Sequence, residues 1–85
     1  MAKILIIDDE RFIRSSLREI LEYEKYEVIE AQNGADGLQK IKEEEIDLVL
    51  CDVKMPILDG LDVLDQAHQM DRTPQFIMIS AHGTI

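Results

Sequence analysis

The 85-residue chain has room for one small domain, and its 46% apolar content with 5% aromatic residues and no tryptophan suits an aliphatic α/β core better than an aromatic-rich sandwich. Eighteen acids against nine bases give a net charge of −9, which excludes a phosphate-gripping nucleic-acid surface on this segment and assigns any DNA contact to another domain. The single cysteine, Cys51, cannot form an intramolecular disulfide, and Met1-Ala2-Lys3 runs into only four apolar residues. The first fits a reduced, cytoplasmic setting, and the second is too short for a secretory or membrane-spanning segment.

Ile4-Leu5-Ile6-Ile7 is rich in β-branched residues and stops at Asp8-Asp9, so a first strand delivers two acids at its carboxyl end. From Glu10, the apolar residues Ile13, Leu17, Ile20 and Leu21 recur at spacings of three and four and mark the inner face of a first helix ending near Tyr23-Glu24, with Phe12 read as packing. Tyr26 to Ala31 alternates like a half-buried second strand, and Asn33 is placed to cap a second helix that buries Leu38 and Ile41. Gly37 weakens that helix slightly, and Lys42-Glu43-Glu44-Glu45 reads as its solvated end. The run Leu48 to Cys51 is a buried third strand reaching Asp52, and Asp59 then caps a third helix with Leu61, Leu64 and Ala67 inward. Thr73-Pro74 breaks the chain before a fourth strand, Gln75 to Ile79, followed by Ser80-Ala81-His82-Gly83. No internal repeat or linker marks a second domain.

A β-α-β-α-β-α-β order implies a parallel sheet with right-handed crossovers and helices on both faces, which gathers all strand ends on one edge. Asp8, Asp9, Asp52 and Ser80 should therefore converge, although they span most of the chain. Crowded carboxylates repel one another, and a divalent cation relieves that repulsion. An all-oxygen donor set with no His or Cys at metal spacing favours a hard ion, and few carboxylates with room for water and phosphate suit Mg²⁺ better than Ca²⁺. A carboxylate beside such an ion can act as a nucleophile toward a phosphoryl group, with Asp52 the best candidate and Ser80 a possible hydroxyl donor to the phosphoryl oxygens. The plainer readings are that Asp52 turns the chain at a strand end and that Ser80 merely closes a strand. There is no Gly-rich dinucleotide fingerprint, no phosphate-binding P-loop, and no G-x-S-x-G elbow around Ser15 or Ser16. His68 and His82 read as surface residues, and Cys51 as a structural one.

Ile7-Asp8-Asp9 after the first strand, Asp52-Val53-Lys54-Met55-Pro56-Ile57-Leu58-Asp59-Gly60 after the third and Ser80-Ala81 after the fourth resemble the receiver domain of bacterial two-component response regulators over the whole chain. The resemblance implies a flavodoxin-like (CheY-like) doubly wound parallel sheet. It also implies that Asp52 takes a phosphoryl group from a sensor histidine kinase, that Asp8 or Asp9, Asp52 and the backbone carbonyl of Lys54 hold Mg²⁺, and that Ser80 is the switch hydroxyl. An output domain or partner protein, of transcriptional type, is expected to read the phosphorylated state. The ending Ser80-Ala81-His82-Gly83-Thr84-Ile85 is similar to receivers of nitrogen-regulation type.

Such receivers have five strands and five helices, and here the match is an incomplete (βα)3β, lacking helix 4, strand 5 with its phosphate-pairing lysine and switch aromatic, and helix 5. Lys54 does not replace that lysine, because its carbonyl is assigned to the metal from the same loop. The alternative reading is therefore an interaction or assembly module of the same fold that takes no phosphoryl group. An Asp-nucleophile phosphatase is disfavoured, since Asp8-Asp9-Glu10 is not the D-x-D pattern of that class. If the strands follow the flavodoxin-like order 2-1-3-4-5, the fourth strand becomes an apolar edge, so an edge-paired or domain-swapped oligomer, or partial disorder, is expected.

Overall fold

The computed structural model describes residues 1–80. The elements run β1 (Lys3–Ile7), α1 (Arg11–Tyr23), β2 (Glu27–Ala31), α2 (Gly34–Glu43), β3 (Leu48–Asp52), α3 (Gly60–Ala67) and β4 (Gln75–Ile79). All strand pairs are parallel and the sheet order is β2-β1-β3-β4. The expected doubly wound architecture is thus present, with the carboxyl ends of β1, β3 and β4 on one edge.

Strand alternation divides the side chains between two unequal faces. Leu5, Ile7, Val49 and Cys51 are fully buried and join Leu38 and Ile41 of α2 and Val63 and Ala67 of α3 in one aliphatic core. The approach of α2 is close: a Cβ on Gly37 would collide with the Ile7 side chain. Gly37 therefore does more than weaken the helix, because its bare backbone lets α2 lie on β1. On the opposite face, α1 packs over β1 and β2, and Ile4 and Ile6 are buried there while Leu50 and Ile79 are half-buried and Ile77 is half exposed. This face is the thinner layer.

Two helix faces differ from the periodic reading. Phe12 and Ile20 of α1 are 79% and 62% exposed, whereas their neighbours Ile13 and Leu21 are half-buried. Adjacent helical residues point about 100° apart, so only one of each pair can face the sheet. In α3 the inward residues are Gly60, Val63 and Ala67, and Leu61 turns outward at 59% exposure; Val63 and Ala67, four apart, form the stripe.

The caps follow the sequence. Asn33 Oδ1 accepts the Asp36 N–H at 2.8 Å. Asp59 and Asp62 form a reciprocal capping box, with N–H to carboxylate bonds of 3.0 and 3.1 Å. After α1, the Tyr26 N–H reaches the Leu21 carbonyl and the Lys25 N–H the Glu22 carbonyl, a Schellman ending in which Lys25, at φ 74°, takes the position glycine usually fills. The acidic end of α2 is also tied down, since Glu44 accepts from Lys3 Nζ at 3.1 Å.

Candidate functional site

The site is built where β1 and β3 end side by side. Ile7 and Cys51 are register partners, so the next residues, Asp8 and Asp52, emerge together. Both are buried, Asp9 beside them is exposed, and one carboxylate oxygen from each of the three lies within 4.8 Å of the others. Oxygens bound to one Mg²⁺ lie about 3 Å apart when adjacent and about 4 Å apart when opposite, so the three acids are grouped closely enough for modest side-chain movement to bring them onto one hard cation.

Each polar group of Asp8 but one has a protein partner. Its N–H donates to the Ala31 carbonyl of β2 at 3.2 Å, its carbonyl accepts from Arg14 Nη1 at 2.7 Å, and its Oδ1 accepts from the Glu10 N–H at 2.8 Å. Oδ2 is buried with no hydrogen-bond partner among the described residues. Burial raises the Asp8 carboxyl above the usual range; the Glu10 amide works against this, and the nearby charges of Asp52, Asp9 and Glu10 reinforce it. A buried, unsatisfied carboxylate oxygen on an acid grouped with two others is a costly arrangement that a cation would relieve.

Asp52 is held by the loop that follows it. The Lys54 N–H donates to Asp52 Oδ1 at 3.3 Å, the Val53 N–H to the Ile79 carbonyl at 2.9 Å, and the Gly60 N–H to the Val53 carbonyl at 2.9 Å. Gly60 has no room for a side chain, since a Cβ would meet the Asp52 carbonyl oxygen and, at 2.6 Å, the Met78 methyl. Between these anchors Ile57 sits at φ 70°, fully exposed, in a γ-turn closed by a 2.7 Å bond from the Leu58 N–H to the Pro56 carbonyl. A β-branched residue in that region is strained by about 1–3 kcal/mol.

Ser80 follows Ile79, the register partner of Asp52, so it stands exposed on the same edge. Lys54 is exposed in the loop after β3. Cys51 is fully buried, and burial, with Asp52, Asp8 and Asp59 adding to it, pushes its thiol up to about 12, the setting of a structural cysteine. His68 is exposed at the end of α3. Ala81, His82, Gly83 and the subtype resemblance carried by the chain's last residues lie outside the described residues. Sequence reasoning missed Arg14, whose partners lie six and sixteen residues away; the only signal was a basic residue one turn into a helix that follows two acids.

No helix among the described residues is long and apolar enough to cross a membrane. The family described as the response regulator receiver domain matches residues 4–85. The chemotaxis protein CheY of Bacillus subtilis is 43% identical over 82 residues, covering 95% of this chain and 68% of the relative. The transcriptional regulatory protein ResD of the same organism is 44% identical over 81 residues, but this chain spans only 33% of it. Among solved structures, the response regulator TrrA of Thermotoga maritima in complex with Mg(2+)-BeF is similar at TM-score 0.90 and 36% identity, covering 96% of this chain and 71% of that one. The same protein bound to the histidine kinase ThkA matches at TM-score 0.89 and 36% identity, covering 99% and 72%. The strand order, the acids at the strand ends and these matches agree: this chain belongs to the receiver-domain family of two-component response regulators.

Proposed function

We propose that Asp52 is the phosphoacceptor of this receiver and that Asp8, Asp9, Asp52 and the Lys54 backbone carbonyl hold Mg²⁺ beside it. The observation that carries the reading is the meeting of three carboxylates, two of them buried, within 4.8 Å at the strand ends. Mg²⁺ would supply charge neutralisation for the phosphoryl oxygens as they approach the acids. An Asp52 carboxylate oxygen attacks phosphorus, and the P–N bond of a phosphohistidine on the donor kinase breaks. The departing imidazole keeps the electron pair and takes up a proton, leaving an acyl phosphate on Asp52. Ser80 would donate its hydroxyl to a phosphoryl oxygen, a role supported by its place one residue beyond Asp52's register partner.

The partner class follows from the family, supported by the kinase complex of the TrrA relative. A transcriptional output is supported by the name of ResD, and a cytoplasmic location by the buried, reduced Cys51. The chain itself acts as a phosphoacceptor signalling domain, its catalysis confined to its own phosphotransfer and dephosphorylation. The test is incubation with MgCl₂ and a small phosphodonor, followed by intact mass measurement. The wild type gains one phosphoryl group only with Mg²⁺, and Asp52→Asn gains none. An unchanged adduct on Asp52→Asn would remove Asp52 from the role, and no adduct on the wild type would favour a phosphorylation-incompetent interaction module.

β4 supports a second, weaker association. Among the described residues it pairs with β3 alone, and Gln75 to Ile79 carry no charge or proline to guard the open flank. Copies of the 85-residue chain are expected to pair there or to exchange strands. Light scattering should show a mass that rises with concentration for the wild type and stays monomeric for Ile77→Lys; a concentration-independent monomer for both contradicts the pairing.

A further inference from the structure

We propose that Arg14 is a positioning residue for the cation site: anchored by Glu30, it holds the Asp8 backbone and so fixes where the Asp8 carboxylate stands beside Asp9 and Asp52. This rests on the Mg²⁺ reading above. The Arg14 side chain is 13% exposed and bridges three elements. From the first turn of α1, Nη1 donates to the Asp8 carbonyl just after β1 at 2.7 Å, and Nε donates to Glu30 Oε1 on β2 at 3.1 Å. A planar guanidinium bound at two of its nitrogens cannot swivel, so both partners are fixed relative to each other.

The consequence falls on Asp8. With its N–H on Ala31, its carbonyl on Arg14 and its Oδ1 on the Glu10 amide, the residue has little freedom left, and its carboxylate is held within reach of Asp9 and Asp52. Arg14 meets Asp8 at the backbone carbonyl and not at the carboxylate. Its effect passes through the backbone. Groups that orient a metal ligand in this way are typically worth about 10–100-fold in metal affinity.

The fold contains its own control. Arg18, one turn further along α1, also binds Glu30, at 2.8 Å, but its other partner is Glu22 at 3.0 Å. Removing Arg18 loosens the same helix from the same strand and leaves the Asp8 carbonyl with its donor.

The experiment titrates the full chain with MgCl₂ by calorimetry and follows the Glu10 amide by NMR, with circular dichroism confirming that each variant is folded. Arg14→Met should weaken Mg²⁺ about tenfold or more, while Arg18→Met should stay within about twofold. Arg14→Lys keeps the charge but not the fork, so it should bind as weakly as Arg14→Met; it also carries the test if Arg14→Met does not fold. Equal affinities for wild type and the Arg14 variants, or equal losses for Arg14→Met and Arg18→Met, overturn the positioning role. Absence of Mg²⁺ binding to the wild type overturns the cation reading, and this role with it.

Discussion

Glu30 on β2 and Asp8 just past the end of β1 are acids two residues apart in register, and the fold treats them in opposite ways. Glu30 accepts hydrogen bonds from Arg18 and Arg14, and these two cations hold its carboxyl below the usual range, Arg18 first, against the opposing effect of burial. Asp8 is raised above the usual range by burial first, with the charges of Asp52, Asp9 and Glu10 adding to it. Both arrangements use the same arginine. Arg14 spends its fork on the Glu30 carboxylate and on the Asp8 backbone carbonyl, leaving the Asp8 carboxylate grouped with other acids. A fold that can neutralise one acid with two arginines but presents a partnerless buried oxygen at the next is storing unfavourable charge where a cation can relieve it.

Substitutions at and around the two acids probe how differently the fold treats them. The largest effect is expected from Gly60→Ala, which forces a methyl against the Asp52 carbonyl and should cost about 2–3 kcal/mol in chemical denaturation; a neutral result would show that the loop holding Asp52 yields easily. Glu30→Gln should cost about 1.5 kcal/mol at neutral pH, because two arginines lose a charged acceptor. Its pH dependence has a definite sign. A carboxyl lowered in the folded state stabilises above its unfolded value, about 4.3, and that contribution is lost as pH falls through the folded value. The gap between wild type and Glu30→Gln should therefore be full at pH 7 and shrink below about pH 4, and a gap that widens in acid would contradict the pairing. Asp8→Asn should do the reverse of Glu30→Gln at neutral pH, stabilising the Mg²⁺-free protein by about 1 kcal/mol by removing charge from the acid cluster. Thermal melts with EDTA test this, and destabilisation would mean that Asp8 is a structural acid. The smallest effect is expected at the strained turn, where Ile57→Gly should gain about 0.5 kcal/mol.

Much of this organisation is legible in the chain. Apolar runs ended by acids locate β1 and β3, alternation locates β2, and Asn33 and Asp59 announce the helices they cap. A parallel sheet then brings Asp8 and Asp52 together without any local signal linking them. Other features were hidden for physical reasons. Phe12 and Ile13, and Ile20 and Leu21, are adjacent apolar pairs, and only packing against β1 and β2 decides which member turns inward. The eight residues of α3 are too few for period alone to prefer Val63 over Leu61. Gly37 and Gly60 look like ordinary helix residues until Ile7 and the Asp52 carbonyl appear opposite them. Ile57 and Lys25 occupy positive-φ positions that glycine would advertise. Arg14's role exists only once β1, β2 and α1 are assembled.

The central claim is that Asp8, Asp9 and Asp52 together hold one hard divalent ion. Crystals of the full chain soaked in MnCl₂, a Mg²⁺ stand-in with an anomalous signal, test it most directly. A single anomalous peak bounded by those three carboxylates is the predicted result, and a well-ordered site with no peak there, or a peak that persists in an Asp8→Asn, Asp9→Asn double variant, would contradict it.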